Sequence, residues 1–374
     1  MPAPHDFADL PDIREQTDNA PAQTVFLMTE AIAGHRSTPM RWNSFDVLVM
    51  VIRHINGHLN QPDCVAGTND EEDSKKALVK QEKTNPILRL AWSRFEVNYQ
   101  SQMAQDIARQ AIKTMLWPSI PLPQFMELLE SNVMLETLFG RESFLLFHPI
   151  VLSQRLESPK NGSWLPEGKD FPLIESAKQS LVRWDCEKGS LADCIESRFG
   201  MFENGERCYW YRCDKPIIMR VHFTVRPDMF KDQDAHNARH RYDVLQCLVI
   251  DGSEWVADQK TGTIKSVEKE TTYLLSMVVR LADDRYDQRV LFRRYNLSGD
   301  MIEEPENFEH REKDWRLHDN SGDYVLFYAR CSDNAIPRYP GPRFPEVPSE
   351  VHIEAHRRYC QSMFERWNAA ASNM

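Results

Sequence analysis

No stretch of this 374-residue chain approaches the roughly 20 consecutive apolar residues that a membrane-spanning helix needs. The opening segment, Met1-Pro-Ala-Pro-His-Asp-Phe-Ala-Asp-Leu10, lacks a basic region followed by an apolar run, so no secretory signal is read there. There is no G-x-G-x-x-G and no P-loop pattern, which leaves nucleotide binding without support. Internal repeats are also missing. The eight cysteines (64, 186, 194, 208, 213, 247, 331 and 360) are dispersed and do not have the spacing of a disulfide framework. These absences predict a protein of the cytoplasm or nucleus with reduced thiols. Positive charge is in short supply: 45 Lys and Arg against 56 Asp and Glu give a net charge of −11. That sign disfavours non-specific nucleic-acid binding and favours a basic partner.

What is present is enough for a large core. Hydrophobic residues make up 41% and charged residues 27%, ordinary proportions for a globular chain, and the length permits one large domain or two ordinary ones. Residues 1–24 are polar and read as a loose tail. Phe45 to Ile55 is apolar throughout and predicts a buried helix. Residues 61–85 form a charged insert, most simply a solvated loop. A helix is predicted at about 88–116 from the spacing of Leu88, Leu90, Phe95, Met103, Ile107, Ile112 and Met115. A second opens after Pro123 and runs to Phe139, with Gly140 as its cap.

Beyond residue 142 the pattern changes to short alternating or β-branched runs: 144–152, 209–211, 217–225, 244–250, 273–281, 289–295 and 324–328. Helices first and strands later predict an α+β fold. A Pro-rich link opening at residue 336 leads to a last helix at about 349–369. Its Ile353, Tyr359, Cys360, Met363, Phe364 and Trp367 would pack on the protein's own body or, alternatively, on a partner protein.

Ser37-Thr-Pro-Met-Arg-Trp-Asn-Ser-Phe-Asp-Val-Leu-Val-Met-Val-Ile52 reads as a short loop entering a buried helix. It resembles the cysteine box of ubiquitin-specific proteases, N-x-x-x-x-C-Y-x-N-S-x-L-Q-x-L, with Met40 at the nucleophile's place. Further elements resemble that family in order. Leu122-Pro-Gln-Phe-Met-Glu-Leu-Leu129 is similar to its Q-D-x-x-E-F-L-x-x-L-L helix, and Ser190-Leu-Ala-Asp-Cys-Ile195 with Phe199 to its S-L-x-D-C-L…F element. Cys208-Tyr-Trp-Tyr-Arg-Cys213 stands where the fingers carry a C-x-x-C pair. Tyr273–Leu281, Asp284–Val290, Trp315–Ser321 and Asp323–Tyr328 resemble the closing strands and turns.

The resemblance implies a papain-like fold over residues 25–335: a helical thumb at about 25–140, then β-rich palm and reduced fingers at about 141–335. Residues 336–374 follow as link and helix. It also implies ubiquitin or a ubiquitin-like protein as partner, whose basic face suits an acidic chain.

The same resemblance assigns each catalytic position. The nucleophile falls on Met40, whose thioether has no proton to lose and cannot become a thiolate. The general base falls on Arg289, whose guanidinium stays protonated. No histidine lies between His240 and His310, so a shifted frame recovers no base. The orienting acid falls on Asp319, which is retained in type but has no imidazole to orient. The oxyanion-hole asparagine falls on His35, which can still donate a hydrogen bond. Losing even one triad member leaves only about 10³–10⁴-fold residual acceleration over water. The chain is therefore expected to bind or scaffold rather than hydrolyse. Two alternatives stay open: a deubiquitinase with unconventional catalytic residues, and an interaction subunit unrelated to ubiquitin.

Metal and other chemistry are weakly signalled. A structural zinc site needs four ligands. Cys208 and Cys213 have four residues between them instead of two, and the expected first pair, near Phe147–Ile150, contains no cysteine. No cofactor and no metal are expected. His236 and His240 have i, i+4 spacing without the Glu of H-E-x-x-H and read as an exposed pair. Cys64, with His54 and His58 upstream, shows no helix N-terminus to activate it. Arg289, Arg293 and Arg294 alternate with Val290, Phe292 and Tyr295, which reads as a strand with one solvated face.

Overall fold

The computed structural model describes residues 43–57, 84–92, 99–120, 123–148, 151–155, 165–167, 173–185, 189–225, 242–251, 253–257, 264–268, 270–281, 290–295, 301–302, 315, 317 and 322–331. The predicted tail, nearly all of the charged insert, Cys64, Cys186, the His236/His240 pair, the Pro-rich link and the C-terminal helix lie outside the described residues.

Among the described residues, five α-helices precede the first strand: α1 (Asn43–Gly57), α2 (Pro86–Trp92), α3 (Tyr99–Leu116), α4 (Phe125–Leu129) and α5 (Asn132–Thr137). The α1 run Val47-Leu-Val-Met-Val-Ile52 is fully buried on every side, as a helix apolar all round must be. Pro86 begins α2, and the Asn85 side chain accepts from the Ile87 amide at 2.9 Å, so an Asn cap and a first-turn proline start that helix together. Asn85 also donates to Thr137 Oγ1 at 2.8 Å and ties α2 to α5.

One predicted helix is met in its described parts and one is corrected. The pattern expected over 88–116 is helical in α2 and α3, with residues 93–98 outside the described set. The one expected up to Phe139 is broken at Glu130-Ser131, where the Ser131 amide and hydroxyl both turn back to the Leu128 carbonyl. The remaining described α-helices are α6 (Leu173–Gln179), α7 (Leu191–Glu196) and α8 (Tyr242–Leu245).

The described strands are β1 (Val151–Arg155), β2 (Leu165–Glu167), β3 (Leu181–Trp184), β4 (Gly200–Asn204), β5 (Arg207–Tyr211), β6 (Ile218–Val225), β7 (Cys247–Ile250), β8 (Ser253–Ala257), β9 (Ile264–Glu268), β10 (Thr271–Arg280), β11 (Leu291–Arg294) and β12 (Gly322–Arg330). Two strand expectations shift. Residues 142–144 form a 3-10 turn, so the first strand starts only at Val151. The start of the run at 244 belongs to α8.

The main sheet has the order β11-β10-β12-β6-β3, with β7 paired to the free stretch of β10. All of its pairings are antiparallel except β3 with β6. A separate four-stranded antiparallel sheet, β2-β1-β5-β4, and the hairpin β8-β9 complete a mixed α and β architecture.

The main sheet is covered on both faces, which is why its strands read as near-continuous apolar runs. One face (Ile218, Met277, Val279, Val290, Phe292, Val325, Phe327) packs with α1–α5. The other (Met219, Val221, Phe223, Tyr273, Leu275, Val278, Leu291, Tyr324, Leu326, Tyr328) packs with residues of α7 and α8. Along β10 the faces switch parity at a register shift between Leu275 and Met277. Ser276 is the extra residue, and a bulge of one residue moves every later side chain to the opposite face. The solvated face expected on the arginine strand is not found. β11 is buried at all four positions, with Arg293 stacked on the Trp315 ring at 4.0 Å and donating to the Trp315 carbonyl. Buried arginines persist where aromatic faces and carbonyls receive them.

Candidate functional site

Met40, Arg289, Asp319 and His35 all lie outside the described residues, and the structure places none of them. Their described neighbours can be located. Asn43, three residues after Met40, opens α1. Val290, next to Arg289, precedes β11, while Leu317 and Gly322 bracket Asp319. Arg280 pairs with both Leu291 and Tyr324, and the Leu281 amide donates to the Asp323 carbonyl at 2.8 Å. Val290 and Gly322 therefore sit at one end of the main sheet.

On the helix-facing side of that end lies a chain of charged groups that sequence reasoning missed. Arg183 on β3 donates to Glu130 at the end of α4, at 2.5 Å. Arg183 Nη1 is 3.3 Å from His222 Nδ1 on β6, and His222 Nε2 is 3.7 Å from Asp323 Oδ1 on β12. A guanidinium only donates, so Nδ1 accepts and the imidazole proton sits on Nε2, facing Asp323. Burial holds the His222 pKa below its ordinary value; Asp323 opposes that shift and Arg183 adds to it. His222 thus lies between a guanidinium and a carboxylate, hydrogen-bonded through Nδ1, with Nε2 3.7 Å from Asp323 and beyond hydrogen-bond reach of it. The signal was present in β6, where Arg220, His222 and Thr224 recur at every second position of an apolar run. Arg220 is fully buried on the same side, donating to the Ala177 carbonyl at 2.7 Å and lying 4.0 Å over the Phe139 ring. Burial lowers its pKa to about 9, so it remains charged at neutral pH.

A second cluster sits where the two large sheets join. Phe147 bridges to Cys213, the His148 amide donates to the Arg212 carbonyl, and the Asp214 amide donates to the Leu146 carbonyl. Arg212 Nη2 lies 2.6 Å from His148 Nδ1, and His148 Nε2 is 3.9 Å from Asp214 Oδ1. Burial pushes the Asp214 carboxyl up to about 6, against the pull of Arg212 and with help from Glu142. Lys215, which follows, has a left-handed φ of 47°, uncommon for a residue other than glycine.

Three of the described thiols are held away from nucleophilic character. Burial raises the thiols of Cys213 and Cys331 to about 11 and that of Cys247 in the same direction, away from the thiolate. Cys208 pairs with Gln154 and Glu203 inside the four-stranded sheet, five residues from Cys213. An odd separation along extended chain turns two side chains to opposite faces. Among the described residues no group of three or more His, Cys, Asp or Glu is placed to hold a metal ion, and no helix is long and apolar enough to cross a membrane.

No known family pattern matches this chain, and no curated protein matches it. Among solved structures it is similar to the Saccharomyces cerevisiae apo Pan2 pseudoubiquitin hydrolase–RNA exonuclease module. The identity is 9% and the TM-score 0.28, over 82% of this chain and 53% of that one, so the chain spans about half that module's length. It is also similar to the Saccharomyces cerevisiae PAN2 pseudoubiquitin-hydrolase, at 10% identity and a TM-score of 0.28, over 74% of this chain and 88% of that one. A likeness of this degree assigns no role to any residue.

Proposed function

We propose that this chain is a catalytically silent relative of the ubiquitin-specific proteases that works as a binding or scaffolding module for ubiquitin or a ubiquitin-like protein. The observation that carries the reading is in the sequence. Within one ordered series of family-like elements, the nucleophile position holds Met40 and the base position holds Arg289. One replacement would remove the attacking sulfur; the other removes the proton acceptor as well. The fold supports the reading in its coarse features. Helices come first and cover one face of an antiparallel-rich sheet, and a second sheet is built from the stretch that the resemblance assigns to the fingers.

Binding does not require the lost chemistry, because affinity comes from buried anchors and charge match across a surface. The net charge of −11 suits a basic partner. The reading is tested by incubating the purified chain with a ubiquitin–fluorophore conjugate and titrating isotope-labelled ubiquitin in parallel. No turnover is expected, with saturable shifts in the ubiquitin spectrum. Turnover that thiol alkylation abolishes would overturn the silent assignment, and unshifted spectra at high micromolar chain would overturn the ubiquitin-binding one. Met40→Cys alone is expected to stay inactive, since it restores a thiol without a base.

A further inference from the structure

Among the described residues, the four-stranded sheet ends in a strand whose outer edge no other strand covers. β4 is last in the order β2-β1-β5-β4, and its only described ladder is to β5. The two-residue turn Gly205-Glu206 closes the pair Asn204↔Arg207, with Gly205 at φ +64°. In such a hairpin the pair beside the turn is hydrogen-bonded, and the bonded pairs then alternate. Asn204, Phe202 and Gly200 thus bond inward to β5. The amide and carbonyl groups of Met201 and Glu203 point away from it. Four backbone groups stand in a row for another strand to meet.

The side chains around that edge are large and apolar. Met201 is 66% exposed and Phe202 is 41% exposed. Behind Met201 on one face stands the half-buried Trp210. On the other face Phe202 meets the Tyr211 ring edge-on at 5.5 Å, with half-buried Tyr209 beside it. Natural edge strands are ordinarily blunted with lysine, proline or a bulge; β4 has none of these. Its charges are acidic instead: Glu203 on the strand and Glu206 in the turn, on a chain of net charge −11.

We propose that the β4 edge is a docking site for an extended segment of a partner protein that adds as a fifth strand. The segment would carry aliphatic side chains at alternate positions and a Lys or Arg opposite Glu203. Hydrogen bonds to the Met201 and Glu203 backbones supply the pairing, and the side-chain alternation supplies the preference. A second copy of this chain fits less well. Antiparallel self-pairing about Phe202 sets each Glu203 against the other copy's Met201 and makes the two like-charged Glu203 side chains diagonal neighbours across the joint. The site uses neither Met40 nor Arg289, so its test does not depend on the reading of those residues.

The experiment uses the full chain and two fluorescein-labelled octapeptides, one alternating valine with lysine and one alternating valine with glutamate, titrated by anisotropy at physiological salt. The lysine peptide is expected to bind at least about tenfold tighter than the glutamate peptide. Met201→Pro removes one outward amide without touching the β5 ladder and is expected to weaken the lysine peptide by about tenfold. Glu203→Lys, a surface change that leaves the backbone intact, is expected to reverse the preference between the peptides. Equal binding of both peptides, an unchanged preference in Glu203→Lys, or no binding of either peptide would overturn the proposal. A concentration-dependent dimer that Met201→Pro abolishes would reassign the edge to a second copy.

Discussion

The joint between the two sheets carries a stability cost that pH can remove. Asp214 ionises at about 6 in the folded protein, against 3.8 for a free aspartate. The native state therefore holds this proton where the unfolded chain has already released it. Its contribution to stability is fully present below about pH 3.8 and is lost as pH rises through about 6. At roughly 1.36 kcal/mol per pH unit, the interval sets a ceiling of about 3 kcal/mol. The side chain is 26% exposed, so water screens part of this, and a penalty of about 1–2 kcal/mol is the better figure. Asp214→Asn keeps the shape and removes the ionisation. It is expected to raise the thermal midpoint by roughly 1–3 °C at pH 7.5 and to leave it nearly unchanged at about pH 3. Calorimetric scans of both proteins across that range read the difference directly. If Asp214→Asn destabilises at pH 7.5, the carboxylate is worth more to Arg212 and His148 than its burial costs, and the reasoning fails.

Other substitutions separate packing from charge. Asp46 and Arg109 form a pair buried to 1% on both sides, with Nη2 to Oδ1 at 2.7 Å; Asp46→Ala leaves the buried guanidinium the longer 3.4 Å contact to Asp106 and is expected to cost about 3 kcal/mol in urea unfolding. Adding Arg109→Met to that variant is expected to recover most of the loss. Ser190 and Asp193 form a reciprocal cap at the start of α7, so Ser190→Ala is expected to cost about 1 kcal/mol by the same measurement.

The periodicity of the chain was a good guide wherever one covered face dictates it. α1 follows from an unbroken apolar run, and β6, β10 and β12 follow from runs whose two faces are both buried. The break at Glu130-Ser131 was hidden because the local preference for helix on both sides is strong, and a serine hydroxyl bonding back to Leu128 decides it. Arg293 and Arg294 were misplaced because charge was equated with solvent, while an indole face and a carbonyl receive Arg293 inside the protein. The chain Glu130–Arg183–His222–Asp323 joins residues 53, 39 and 101 positions apart, so no local window contains it. The resemblance positions Met40, Arg289 and Asp319 rest on spacing alone.

Polar groups at the seam between helices and sheet settle something that hydrophobicity leaves open. A helix apolar on every side gains the same burial at any roll about its axis, so α1 needs another source of orientation. Asp46 near its start is held by Arg109 of α3. Arg53 donates to the Ala91 carbonyl of α2, and His54 Nε2 donates to the Ser276 carbonyl at 2.8 Å, at the bulge of β10. Three anchors on different partners fix both the roll and the axial position of the helix. The bulge matters twice: it reverses the faces of β10 and turns a carbonyl toward His54. Ser276→Val keeps the strand but removes the hydroxyl that lies 2.9 Å from His54 Nε2. The carbonyl anchor survives that change, so a modest loss of about 1 kcal/mol is expected. His54→Leu removes both contacts, leaves the Ser276 carbonyl its bond from the Tyr295 amide at 2.7 Å, and is expected to cost about 2–3 kcal/mol. Equal costs for the two variants would mean that the hydroxyl, and not the bulged backbone, sets the helix in place.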